Sequence, residues 1–116
     1  FILQKFIPEV KKGDKRVLII NGNPVAAVQR IPKNNDIRSN IHVGGTVVKT
    51  KLTKNDLKIC DAIKEELIKN KLFFVGIDII GNYLTEINVT SPTCIQEIKK
   101  LSKIDVSRKI WDELLV

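Results

Sequence analysis

An aspartate stands inside an apolar, β-branched run, Phe74-Val-Gly-Ile-Asp-Ile-Ile80, and Gly81-Asn82 joins that run to the alternating segment Tyr83–Val89. The pattern predicts an antiparallel hairpin. Asp78 constrains the fold further. A lone carboxylate is costly to bury unless it is neutralised, hydrogen-bonded or bound to a metal, so the fold must bring it a partner. Residues two apart on a strand share a face, so Glu86 and Asn88 leave one side of the hairpin and Ile87 the other. If the strands pair through Gly81-Asn82, Asp78 reaches the face of Glu86 and Asn88 and completes an all-oxygen set suited to magnesium or manganese. The same side chains on a solvated strand face would need no metal, and spacing leaves both readings open.

The rest of the chain supplies partners for that hairpin. Ile2–Ile7, Arg16–Ile20 and Val25–Ile31 are rich in β-branched residues, and Asn21-Gly-Asn-Pro24 is a strong turn signal. They predict an extended strand followed by a hairpin from Arg16 to Arg30. A polar stretch without a convincing period follows, from Pro32 to about Lys51, carrying Asn34, Asn35, Asp36, Arg38, Asn40, His42 and Gly44-Gly45. Loops this long are uncommon in compact domains and are often lids or binding loops; the alternative is a merely solvated connection. Thr53 with Asp56 marks a helix start, and Leu57, Cys60, Ile63 and Leu67 recur at helical spacing up to Asn70. Cys94–Leu101 predicts a second helix. A third, opened by Asp105, carries Ile110, Trp111, Leu114 and Leu115, with Trp111 expected as a packing anchor. The fold class is α+β, an antiparallel sheet with packed helices.

A length of 116 residues at 43% hydrophobic content suits one small domain or part of a larger one. The apolar runs are too short to cross a bilayer and no cleavable signal is visible, so the expectation is a soluble, cytoplasmic protein with no membrane partner. The sequence holds no methionine and opens Phe-Ile-Leu-Gln-Lys-Phe, which reads as the middle of a strand, so an upstream part is expected. Cys60 and Cys94 lack metal-type spacing and suit reduced thiols, Cys60 as a core residue. The net charge of +7 favours anionic partners, among them nucleic acid, membrane headgroups and nucleotide phosphates. A basic nucleic-acid-binding domain is one reading, but aromatics are 5% of the chain and do not interleave with basic residues as stacking platforms would, so no nucleic-acid partner is expected. Arg16 and Arg30 sit near the ends of the first hairpin and Arg38 in the long loop, where guanidinium groups suit clamping of phosphate or carboxylate; each could also be a solvated surface residue. His42 has no partner that would make it catalytic, and a solvated or locally bonded role is expected.

The run from Gly76 to Ile95, ending Glu86-Ile-Asn-Val-Thr-Ser-Pro-Thr-Cys-Ile95, closely resembles the C-terminal signature of bacterial-type glutathione synthetases, which are ATP-grasp ligases. Gly13-Asp-Lys-Arg-Val17, Gly22-Asn-Pro-Val25, Arg30-Ile-Pro32 and Asp36 to Gly45 extend the resemblance over nearly the whole chain. Ser39 and His42 depart from it, standing where a glycine and a small residue are usual. The resemblance implies the C-terminal lobe of an ATP-grasp domain over residues 1–116, with the N-terminal substrate domain and the ATP lid lobe outside it. It implies ligation of γ-glutamylcysteine and glycine at the expense of ATP, through an acyl phosphate, by a cytoplasmic and homo-oligomeric parent, the fragment alone being inactive. It further implies Asp78, Glu86 and Asn88 as ligands of Mg2+ or Mn2+; Arg16, Arg30 and Arg38 as catalytic; and Ser91 and Thr93 as substrate-binding, unless they merely cap the next helix. Gln4, Lys5, Phe6 and Ile7 would contact ATP together with Asn88, and residues 32–51 would form a mobile active-site loop that excludes water. Another ATP-grasp ligase, for a different carboxylate and amine, is the alternative; Ser91-Pro-Thr-Cys94 argues against it.

Overall fold

The computed structural model describes residues 13–31, 46–90 and 92–115. The expected strand Ile2–Ile7 lies outside the described residues, as do Gln4, Lys5, Phe6, Ile7, Arg38, His42 and Ser91.

Strand β1 (Asp14–Ile20) turns at Asn21-Gly22 into β2 (Asn23–Ile31), and β3 (Thr46–Lys49) pairs with the outer edge of β2. Helix α1 (Lys54–Lys69) precedes the hairpin β4 (Phe74–Ile80) and β5 (Tyr83–Asn88), and α2 (Ile95–Ser102) and α3 (Val106–Leu114) close the chain. The five strands form one antiparallel sheet in the order β3-β2-β1-β4-β5. The predicted α+β class and both hairpins are thus present. Thr46–Lys49 corrects the sequence reading, because the end of the polar Pro32–Lys51 stretch is an edge strand rather than loop. Four residues are too few to show a period, and Val47 supplies the apolar contact that holds them.

Alternation along the strands gives the sheet two apolar faces. Val17, Ile19, Ala27, Val75, Ile77 and Ile79 pack with Cys60 and Leu67 of α1. Leu18, Ile20, Ala26 and Val28 pack with Ile98 of α2 and Val106 of α3. The α1 start is as read from sequence: Thr53 Oγ1 accepts from the Asp56 amide at 3.1 Å while Asp56 Oδ2 accepts from the Thr53 amide at 2.8 Å. Lys15 Nζ also donates to Asp56 Oδ2, at 2.6 Å, and to the Lys51 carbonyl, at 3.0 Å, tying the helix start to β1.

Two expected packing residues are not in the core. Leu57 is 46% exposed, its place on the buried stripe being taken by Asp56 and Ile59. Trp111 is 63% exposed; Val106 and Ile110 make the apolar contacts of α3 instead. Among the described residues, no helix is long and apolar enough to cross a membrane.

Candidate active site on the helix α2 face of the sheet

The face that carries Leu18 and Val28 changes character toward one end. Beyond the apolar layer the same alternation continues with Asp14 and Arg16 on β1, Arg30 on β2, Asp78 on β4, and Glu86 and Asn88 on β5. Register brings them together: Asp14 lies opposite Arg30, Arg16 opposite Asp78, Asp78 opposite Glu86, and Gly76 opposite Asn88. Asp78, Glu86 and Asn88 therefore share one face.

The partner that Asp78 requires is a pair of arginines. Arg16 donates from Nε to Asp78 Oδ1 at 2.5 Å and from Nη2 to Oδ2 at 3.2 Å, and Arg30 Nη2 lies 3.0 Å from the same Oδ2. Arg30 in turn grips Asp14, Nε to Oδ1 at 2.9 Å and Nη2 to Oδ2 at 2.6 Å. Two aspartates and two arginines thus form a formally neutral cluster, with Arg16 only 4% and Asp78 only 3% exposed. Fork-to-fork pairing fixes both guanidinium planes. The Nη1 of each arginine takes no part in pairing with the aspartates, and that of Arg16 donates to Thr93 Oγ1 at 3.5 Å. Gly76 makes room for this: a Cβ there would stand 3.2 Å from Arg16 Cδ and 3.0 Å from the Pro92 ring.

Electrostatics follow from burial. Desolvation raises the Asp14 pKa above the ordinary carboxylate value, opposed by its bond to Arg30. Burial works against the Arg30 charge, yet the bond to Asp14 and the nearby Asp78 carboxylate outweigh it and hold the pKa above the usual value. Burial also pushes up the Cys94 thiol, against the pull of the Thr93 hydroxyl and the two arginines.

Thr93 was open to a capping role, but α2 has no side-chain cap; its N-cap is Cys94, and the Thr93 hydroxyl accepts from Arg16. Asn88 Oδ1 accepts from the Thr90 amide at 3.1 Å. Glu86 is exposed and Asn88 half-buried on the edge strand. The Asp78 oxygens face the arginines, whereas Glu86 supplies an accessible carboxylate. Among the described residues no three His, Cys, Asp or Glu side chains converge as a metal cage. Glu86 and Asn88, side by side on one face, could instead hold a hard cation that completes its shell from water and substrate phosphates.

Asp14 is a site residue that sequence reasoning misses, because nothing local in Gly13-Asp-Lys-Arg16 shows that it meets Arg30. Such reasoning also misses a bulge at Thr85. Ile79 pairs with Leu84 but Asp78 with Glu86, so the alternation expected along Tyr83–Val89 breaks at Thr85, and Leu84 and Glu86 face opposite sides.

A family model described as prokaryotic glutathione synthetase, ATP-grasp domain, matches residues 1–103. The chain is 51% identical over 114 residues to a glutathione synthetase of Prochlorococcus marinus, covering 98% of this chain and 37% of that protein. It is 48% identical over 114 residues to that of Agrobacterium fabrum, covering 98% and 36%, and 47% identical over 109 residues to that of Synechocystis, covering 94% and 34%. The chain thus spans about a third of the length of the curated relatives it matches.

Proposed function

This chain belongs to the prokaryotic glutathione synthetase ATP-grasp family, and from that premise we propose that it forms the C-terminal lobe of an enzyme that joins γ-glutamylcysteine to glycine. In the reaction, ATP phosphorylates the cysteinyl carboxylate of γ-glutamylcysteine. The glycine amine then attacks the acyl phosphate and phosphate leaves, with ADP as the other product. One observation carries the reading: Glu86 and Asn88 stand on the same sheet face as the ordered Arg16–Asp78–Arg30–Asp14 cluster.

Each group has a role that its surroundings support. Glu86 and Asn88 would hold Mg2+ or Mn2+, with Asp78 nearby as a further oxygen donor. A metal bound there would neutralise charge on the phosphate oxygens during transfer. Arg16 and Arg30, their planes held by the aspartates, would turn their remaining N–H groups toward the phosphoryl and carboxylate oxygens. Donors fixed before the reaction lose little reorganisation energy as charge develops. Thr93 and Ser91 would hold the peptide substrate, and Arg38 with the 32–45 segment would shield the acyl phosphate from water. Gln4, Lys5, Phe6 and Ile7 would contact ATP. We assign the parent to the cytoplasm as a homo-oligomer, and the activity to the longer polypeptide, since this chain covers about a third of its relatives.

The test is ADP release by the full-length protein with magnesium, γ-glutamylcysteine and glycine, each omitted in turn. Turnover should require all of them. Turnover that ignores glycine, or prefers another acid over γ-glutamylcysteine, would overturn the substrate assignment.

A further inference from the structure

The hairpin turn alone would set the wrong register for this site. Ile80 pairs with Tyr83 and Ile79 with Leu84. Continued regularly, that pairing would place Asp78 opposite Thr85 and Ile77 opposite Glu86. Glu86 would then face α1, on the far side of the sheet from Arg16 and Asp78. Instead, Thr85 is set aside as an extra residue, and Asp78 meets Glu86 while Ile77 meets Ile87. A bulge of this kind leaves one residue unpaired and re-aims the side chains beyond it. The Thr85 hydroxyl occupies the gap it creates, donating to the Asp78 carbonyl at 3.1 Å.

We propose that Thr85 is a positioning residue for the cation site: its hydroxyl, bonded to the Asp78 carbonyl, holds the bulge that keeps Glu86 and Asn88 on the Asp78 face. The inference rests on the metal reading made above and adds to it a residue that touches neither metal nor substrate. Two forces hold the register. The Ile77–Ile87 pair favours it through apolar facing, and the Thr85 hydroxyl adds a hydrogen bond to the Asp78 carbonyl at the bulge. Valine at position 85 keeps the β-branched shape and removes only the bond. Serine keeps the bond.

The experiment measures Mn2+ binding by electron paramagnetic resonance in the full-length protein with a non-hydrolysable ATP analogue, for the parent, Thr85→Val, Thr85→Ser and Glu86→Gln, with thermal unfolding of each. Thr85→Val should weaken Mn2+ binding by about tenfold or more, the usual effect of losing a group that orients ligands. Thr85→Ser should bind like the parent, with unfolding midpoints of the two variants close together. Unchanged Mn2+ binding in Thr85→Val, or equal loss in both Thr85 variants, overturns the inference while leaving the metal site in place. A parent that binds no Mn2+, indistinguishable from Glu86→Gln, overturns the metal reading and this inference with it.

Discussion

Removing the Asp78 carboxylate should unfold the protein far more readily than removing that of Glu86, although both belong to the proposed cation site. Asp78 is 3% exposed and takes bonds from Arg16, itself 4% exposed, and an ion pair from Arg30. In Asp78→Ala, Arg30 keeps Asp14, but among the described residues Arg16 keeps only the Thr93 hydroxyl as a side-chain partner for a buried positive charge. Breaking a buried pair by removing one partner costs about 3–5 kcal/mol. Total stability is only about 5–15 kcal/mol, so the loss is a large fraction of it. Glu86 is exposed, and Glu86→Ala should stay within about 0.5 kcal/mol of the parent. Equilibrium urea unfolding in chelator separates the two. With a slope of about 2 kcal/mol per molar, Asp78→Ala should lower the midpoint by about 1.5–2.5 M. If Asp78→Ala proves as stable as Glu86→Ala, the carboxylate does not hold the arginines, and burial does not force this pairing.

Gly13→Ala should cost at least about 2 kcal/mol, because φ is +88° and the added Cβ would meet the Arg30 carbonyl at 1.8 Å; urea unfolding checks it. The Asp105 carboxylate accepts the Arg108 amide at 3.1 Å, and that bond holds its pKa below the ordinary value. Its contribution is therefore present above the unfolded pKa of about 4 and lost as pH falls through the lower folded value, so Asp105→Asn should flatten the acid limb of stability measured by circular dichroism. Burial, aided by the Asp56 charge, pushes the Cys60 thiol up to about 11, and Cys94 is likewise raised by its burial. Both should resist a thiol reagent at pH 8 in the native protein and react in urea; rapid native labelling would contradict their burial.

Much of this protein is determined locally. Turn pairs at Asn21-Gly22 and Gly81-Asn82, β-branched runs, the Thr53–Asp56 box and apolar periodicity are enough to specify two hairpins and three helices. A carboxylate inside an apolar strand is enough to demand a partner. The motif from Gly76 to Ile95 points to the family. Trp111 and Leu57 are exposed where the pattern predicts packing, because periodicity marks a helix face but not what lies against it.

Only the tertiary structure decided the identity of that partner and the facing of the site. Strand side chains alternate with a period of two, so a single extra residue moves every side chain beyond it to the opposite face. This sheet contains such a residue in each hairpin. Ile19 pairs with Pro24 but Leu18 with Ala26, leaving Val25 over, and that shift carries Arg30 to Asp14; Thr85 does the same for Glu86 and Asp78. Turn residues are local and legible, whereas a bulge is selected by the packing of both sheet faces at once. The sequence therefore determined which groups the site contains, and the packed sheet determined that they meet.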